Sequence, residues 1–490
     1  MKEVITLQFG EQANYAGAHY WNLMQTATSE DAGAALALET LYCERYAHLD
    51  NTQTRSPQAF APRLLTYDKT GNYASRGGDD DDSEKNGSRG NGQKNDGSGE
   101  GAVESAGAAW DSRGIEVHRQ QRQQRKTAVF PGECEDSIRY WTDFSEQQYH
   151  PRTLNSVSGL KFGSSLGEMN TFIEGQRVFE GEDARYEALE GRFREFAEEC
   201  DLIQGFQVLA DACGGFAGYA SAYLQKVREE YPKSPIVLYN VSACCADSMA
   251  VAQQTDIAIA VATALRQEVS MSVPLFAPSG LDRSGLGVKL DVGSRFQTSA
   301  FAAVNAAQWG YSVLARTRTV DEIVNQATQQ GCYRIAESLL APGLEVAGGL
   351  DERCSVSDLI RDRFVACSSA RVDSIESMAG RLFVDRGTAV TQLVADTLPR
   401  SAYVDNGRPV ALPRAFPSIF SGPKWAGPGR LASVGVAGLL CSTSGSEAYL
   451  QRLHGSLRTE QSRHLKEYER DDIREFRYAL DSCIDRYSSI

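Results

Sequence analysis

Apolar and polar positions follow two periods along this chain, and each change of period marks an element. Val4, Ile5, Leu7 and Phe9 form a short, partly β-branched apolar run that predicts a buried strand. Gly10 ends it, and Glu11, Gln12 and Asn14 read as a short polar loop. Ala16, Tyr20, Leu23 and Met24 then take up the helical period. The same order recurs later. Leu202 to Leu209 reads as a strand, residues 212–218 (ACGGFAG) as a glycine loop, and Tyr219, Tyr223, Leu224 and Val227 as a helix that stops at Tyr231-Pro232. Pro235 introduces a further strand, Ile236 to Val241, so the segment composes a βαβ unit with parallel strands. Upstream of it, Asp183 to Cys200 places Tyr186, Leu189, Phe193 and Phe196 on one helical face, with Asp183 as the expected N-cap.

Beyond Gly310 the pattern weakens, and short helices are expected to alternate with strands. From Tyr403 to Pro428 the density of Pro and Gly predicts extended or looped chain. Ser444 and Glu447 have capping-box spacing. A long polar helix is expected from there to the C-terminus, packing Ile473, Phe476, Leu480 and Ile484 on its own domain. Residues 71–109 have no period. They are Gly, Ser, Asp and Asn with almost no large apolar residue, which cannot offset the entropy of ordering, so this stretch is expected to be disordered. Its run Asp79–Asp82 reads as a solvated spacer rather than a metal site. A polar Arg/Gln tract at 119–126 continues it, and order is expected to return at Cys134.

Composition narrows the classes. With 490 residues, 42% of them hydrophobic, the chain can bury the core of two or three domains. A net charge of -14 argues against nucleic acid or an anionic lipid surface as the main partner. The 11 cysteines show no C-x-x-C spacing and predict free thiols in a reducing compartment, with neither a metal site nor a disulfide framework. The longest apolar run, Asp256 to Leu265, is about half the roughly 20 residues that a bilayer requires. The first residues lack the pattern of a secretory signal or an Arg-rich presequence, and neither Lys2 nor Cys483 fits a lipidation motif. The expectation is a soluble chain whose association with organelles is peripheral.

A strand that enters a helix through a glycine turn aims backbone N–H groups and the positive helix end at one point, which suits a phosphate. The candidate residues are Gly10, Glu11, Gln12 and Asn14 in the first turn, and Gly214, Gly215 and Gly218 in the second. Met1, Glu3, Gln8, Gly10, Asn14 and Gly17 resemble the N-terminus of tubulin. Residues 211–232 resemble tubulin's glycine-signature segment, with Lys226 and Arg228 to Pro232 in register. The departures fall on the chemistry. Ala212, Cys213 and Phe216 stand where tubulin has glycines, Gly215 where it has threonine, Ala217 where it has serine, and Glu11 where it has glutamine. A carboxylate repels a phosphate unless Mg²⁺ lies between them, Phe216 adds bulk, and the missing hydroxyls remove donors. Tubulin's GxxNxD activation loop has no convincing match. The resemblance thus implies no catalytic residue, no metal, no GTPase activity and no required cofactor, with GTP as the nucleotide that such loops would take.

A closer resemblance is to the Misato family. Trp141, Thr142, Asp143, Phe144, Tyr149, His150, Pro151 and Arg152, followed by Glu198 to Phe206, match that family's pattern, and RFQTSAFAAV from Arg295 and LPRAFPSIF from Leu412 resemble further motifs of it. It implies an α/β fold with a tubulin/FtsZ-like, Rossmann-type nucleotide domain. That domain would be divided into residues 1–70, an insert and polar tract at 71–128, and the remainder at 129–310, with a diverged C-terminal region at 311–490. It also implies a non-enzymatic factor in mitochondrial distribution, partitioning and mitochondrial DNA inheritance. Such a factor would sit in the cytoplasm and on the outer mitochondrial surface, with protein partners at that surface or on the cytoskeleton and no direct nucleic-acid contact. Two alternatives stand beside it. One is a GTP-binding, filament-forming tubulin-like protein. The other is a serine hydrolase using Gly163-Ser164-Ser165-Leu166-Gly167 as a nucleophile elbow, with His454 or His464 downstream. His150 reads as a packed turn histidine.

Overall fold

The computed structural model describes residues 2–30, 38–44, 60–70, 135, 138–147, 149, 153–161, 169–278, 287–343, 355–367, 377–388, 391–399, 402–405, 408–421, 424–425, 432–458 and 463–490. The insert at 71–109, the tract at 119–126, His150 to Arg152 and the G-x-S-x-G stretch at 163–167 lie outside the described residues.

Six strands form a parallel sheet: β1 (Glu3–Phe9), β2 (Leu64–Thr70), β3 (Leu154–Lys161), β4 (Ile203–Asp211), β5 (Ile236–Ser242) and β6 (Met271–Phe276), in the order β3-β2-β1-β4-β5-β6. Helices cover both faces, so the strands read as continuous apolar runs. On β1, Ile5, Leu7 and Phe9 join one buried cluster, while Val4 joins the cluster on the opposite face. The chain runs outward in one direction from β1 through β2 and β3, then returns to add β4, β5 and β6 on the other side. The sheet therefore has a topological switch point between β1 and β4, where parallel α/β sheets bind their ligands.

Helix α1 (Glu11–Glu30) follows β1 directly, α2 (Phe172–Glu180) precedes β4, α3 (Gly215–Glu230) joins β4 to β5, and α4 (Val251–Arg266) joins β5 to β6. Helix α5 (Arg295–Leu314) is buried from Phe296 to Leu314 apart from Gln297, because it lies between the parallel sheet and a second one. The second sheet holds β7 (Glu337–Pro342), β8 (Val365–Ala366), β9 (Met378–Arg386), β10 (Tyr403–Asp405) and β11 (Val436–Thr443), in the order β8-β7-β11-β9-β10. On one side of α5, Gly310 admits the Tyr20 hydroxyl of α1; on the other, Gly438 of β11 admits Gln308. Helices α6 (Gly445–Ser456) and α7 (Arg470–Tyr487) close the chain.

Several expectations are corrected. Glu11, Gln12 and Asn14 lie in the first turn of α1 rather than in a loop, since the helix begins immediately after Gly10. Gly215 and Gly218 likewise belong to α3, which shortens the second loop to residues 212–214. The run Glu182–Glu198 contains a π segment at Glu187–Phe193, with Gly181 at its N-cap position and Asp183 inside the first turn. The extra residue per turn rotates the face, leaving Tyr186 69% exposed while Phe193 and Phe196 are buried. Ser444 occupies the N-cap of α6 with helical backbone angles, so only its carbonyl, not its hydroxyl, meets the Glu447 N–H. The C-terminal stretch is two helices rather than one. Phe476 and Leu480 of α7 are buried in a cluster shared with α4 and α6, so the predicted stripe packs within the chain, against a helix of the 129–310 region as well as one of its own.

The motif segments acquire a common role. Trp141–Asp143 forms a single 3-10 turn docked on α1, where Asn22 Nδ2 donates to the Phe144 carbonyl at 2.9 Å and Asn22 Oδ1 accepts from the Glu146 N–H at 2.6 Å. His19 of α1 then stacks on Phe144 at 4.3 Å, lies 4.8 Å from Phe296 and meets Phe416 edge-on at 5.6 Å, centroid to centroid. Phe144, Phe296 and Phe416 come from three motifs far apart in the sequence. Burial lowers the His19 pKa to about 3, so the ring is neutral and its Nε2–H donates to the Phe296 carbonyl.

Candidate functional site

The two glycine turns are neighbours because β1 pairs with β4 in a register that sets Phe9 beside Ala210, and hence Gly10 beside Asp211. Gly10 has a φ of +96°, and a Cβ there would lie 2.4 Å from the Asp211 carboxyl group. Glycine is required at this point because the Asp211 side chain fills the space in front of the turn. Asp211 Oδ1 accepts the Ala13 N–H at 2.8 Å, so one of the N–H groups at the start of α1 already has an oxygen partner from within the protein.

Other acidic groups share that space. Asn14 Nδ2 donates to Asp68 Oδ2 at 2.9 Å and to the Tyr67 carbonyl, and Asp68 is fully buried on β2. Glu11 is ion-paired with Arg295 at the start of α5, and the guanidinium lies 5.6 Å from the Tyr15 ring centroid. Gln12 is buried in the same turn. Desolvation raises the Asp211 pKa to about 8, and Asp68 and Glu11 push the same way, while the Ala13 N–H and Arg295 oppose them. Asp211 is half-buried and also borders a cavity of about 10 Å³ beneath α3, room for a single water.

The second turn is closed by a different route. Gly214 has a φ of +78°, and its N–H donates to Asp256 Oδ2 at 3.0 Å. Asp256 is a buried residue on α4, and its Oδ1 meets His464 Nδ1 at 2.6 Å. Burial pushes the Asp256 pKa up, and the bond to His464 is the largest opposing influence. The remaining glycines serve packing. A Cβ on Gly218 would fall 1.8 Å from the Phe172 carbonyl oxygen, and one on Gly215 would fall 2.2 Å from Met169 Cβ. Gly175 of α2 fits against the Gly215 carbonyl in return. These three glycines let α2 press onto the start of α3. Phe216, expected to crowd the turn, is buried in an apolar cluster with Phe9, Met169 and Tyr219.

All seven candidate residues therefore lie at or beside the switch point, but four others complete the arrangement and escaped the sequence reading, Asp68, Asp211, Asp256 and Arg295, and a fifth, His464, was read only as a hydrolase histidine. Asp256 carried a signal, since it is the one charge at the head of the longest apolar run. Asp211 directly follows a strand of predicted buried character and precedes the glycines. His454 and His464, the histidines a hydrolase would need, are engaged with Asp481 and Asp256 respectively. Among the described residues, no group of His, Cys, Asp or Glu is arranged to hold a metal ion, and no helix is long and apolar enough to cross a membrane.

Comparison with known proteins agrees with this topology. A tubulin-domain family matches residues 131–312, and a Misato Segment II tubulin-like domain family matches residues 2–129. The fold is thus of the tubulin-like class, an α/β architecture with a Rossmann-like sheet. Among relatives, the chain is 27% identical to Protein DML1 of Gibberella zeae over 322 residues, covering 62% of this chain and 59% of that one. It is 25% identical to Protein dml1 of Aspergillus clavatus over 356 residues, 69% of this chain and 65% of the relative. With Protein misato of Drosophila melanogaster the identity is 28% over 262 residues, 48% and 44% of the two chains. The chain carries Misato-type tubulin-like domains and is similar to proteins named DML1 and misato. It spans about three fifths of the length of the fungal relatives it matches.

Proposed function

We propose that this protein is a non-enzymatic factor in the distribution and partitioning of mitochondria and the inheritance of their DNA, acting through protein partners, with a nucleotide-type cleft that it closes with its own carboxyl groups. The mitochondrial part of this reading rests on the Misato resemblance. The closure rests on one observation: the N–H groups at both glycine turns, on Ala13 and Gly214, already donate to Asp211 and Asp256. A phosphate entering the first turn has to displace the Asp211 carboxyl group and sit beside Asp68 and Glu11, and one entering the second has to displace buried Asp256, so each meets a carboxyl group where a nucleotide-binding protein offers free donors. Arg295 is the cation of the first turn, and Glu11 holds it.

A calorimetric titration with GTP and Mg²⁺ tests the closure. The expected result is no saturable binding below about 1 mM and no measurable turnover. Micromolar affinity, with hydrolysis that rises steeply with protein concentration, would instead establish the GTP-binding filament former. The location is tested separately. The protein is expected to leave isolated mitochondria in high salt or carbonate, and retention under both treatments, with protection from added protease, would sink the peripheral reading.

A further inference from the structure

A groove of about 620 Å³ runs between the last turn of α4 and the outer side of α7, far in sequence from the glycine turns. Four guanidinium groups line it, Arg266, Arg334, Arg474 and Arg486, against two carboxylates, Glu268 and Glu475. This is a basic strip on a chain whose net charge is -14. Two of the arginines are already engaged. Arg266 pairs with Glu475 and lies 5.7 Å from the Phe476 ring centroid, and Arg474 pairs with Asp471 at 2.8 Å. Arg334 donates only to the Leu265 carbonyl, at 3.2 Å, and among the described residues neither Arg334 nor Arg486 has a carboxylate partner. Both lie close enough to the buried Cys483 thiol on the groove floor to favour its thiolate, although burial dominates and pushes its pKa up to about 11. Tyr478 stands between the arginines and is 76% exposed, among the most exposed large side chains of the fold.

We propose that this groove docks an acidic, extended segment of a partner protein. The spacing of charge decides between a peptide and a small anion. Arg474 and Arg486 are twelve residues apart on one helix, which places them about 18 Å apart along its axis. A single phosphate or carboxylate ligand held by Arg334 and Arg486 leaves Arg474 to Asp471, whereas roughly five or six extended residues also reach Arg474 and compete with Asp471 for it. Positions 474, 478, 482 and 486 recur every four residues, so they share one stripe of α7, on the side turned away from buried Phe476 and Leu480. The free arginines supply sites for carboxylates, and Tyr478 with Leu265 and Ala479 supplies apolar contact for a hydrophobic residue between them. Charge complementarity selects an acidic partner over a second copy of this acidic chain. The proposal is independent of whether the glycine turns take a nucleotide.

The test is fluorescence polarisation of a labelled peptide, Asp-Asp-Leu-Asp-Asp-Leu-Asp-Asp, with the full chain at low salt. Saturable binding in the ~10 μM range is expected, falling steeply as salt rises. The double variant Arg334→Glu, Arg486→Glu is expected to weaken it at least ~10-fold, and Tyr478→Ala about threefold. All three substituted side chains border the open groove, and the circular dichroism spectrum is expected to be unchanged. Absence of saturable binding, equal binding by the double variant, or displacement by an equal concentration of pyrophosphate would each overturn the proposal. So would binding that emerges only after residues 71–109 are deleted, because the occupant would then be the chain's own acidic run.

Discussion

The two glycine turns began as one motif in the sequence and end as different devices. The first is closed within the sheet: Asp211 reaches one strand across, to the N–H of Ala13, and shares the space with Asp68, Glu11 and the Glu11-bound Arg295. The second is closed from outside the sheet, by Asp256 of α4, which His464 holds from a turn between α6 and α7. The first therefore crowds acidic groups together, while the second balances one carboxylate with an imidazole and a peptide N–H. The difference teaches that a glycine-rich strand-to-helix turn can persist for reasons unrelated to phosphate. At Gly10 the reason is space for Asp211, and at Gly215 and Gly218 it is the approach of α2.

The largest expected effect breaks the packing half of this comparison. Gly218→Ala places a methyl group 1.8 Å from the Phe172 carbonyl oxygen, a backbone atom that cannot swing away. A loss of about 3 kcal/mol in chemical denaturation is expected. A loss below ~0.5 kcal/mol would show that α2 is free to shift, and would restore a phosphate-related reason for the glycine.

Next comes the second closure. Asp256→Ala leaves the Gly214 N–H and the half-buried His464 without their partner, at a cost of about 2 kcal/mol. Equal stability of variant and parent would mean that the carboxylate is replaced by water, and the closure would lose its structural basis.

The smallest effect sharpens the contrast, because its sign reverses. The folded-state pKa of Asp211 is raised from 3.8 to about 8. Its stabilising contribution is complete below pH ~4 and is lost progressively as the pH climbs to ~8, since folding must then take up a proton. Asp211→Asn keeps an oxygen for the Ala13 N–H and removes the titration. Relative to the parent, the variant is expected to gain on the order of 1 kcal/mol between pH 5 and pH 8, a value discounted for the partial exposure of Asp211. A constant difference over that range would show that the carboxyl group is ionised throughout.

Much of the fold was legible in the residues. The strands at β1, β4 and β5 and the helices between them followed from apolar runs, glycine and Pro235, because strands covered on both faces carry little else. The switch point was legible only as two similar turns. Which groups fill it was not, because Asp256 and His464 are 208 residues apart and no local period joins them. The Glu187–Phe193 π segment was hidden for another reason: the stripe of Leu189, Phe193 and Phe196 fits an ordinary helix equally well, and only packing reveals the extra residue. The motifs around Trp141, Arg295 and Leu412 were visible as words, but their meeting at His19 is a tertiary fact.

That meeting has a consequence in proton count. His19 is stripped of its proton by folding, with its pKa taken from an ordinary 6.5 to about 3. It thus favours the folded state fully above pH ~6.5, and that support is withdrawn as the pH falls toward ~3. Asp211 takes up a proton on folding between pH ~4 and ~8. From pH ~4 to ~6.5 one group releases a proton and the other binds one, so the two leave folding with no net exchange of protons. Their joint effect is a flat stretch of stability across mildly acidic conditions, with a decline on the acid side set by an aromatic cage and a decline on the alkaline side set by a buried acid.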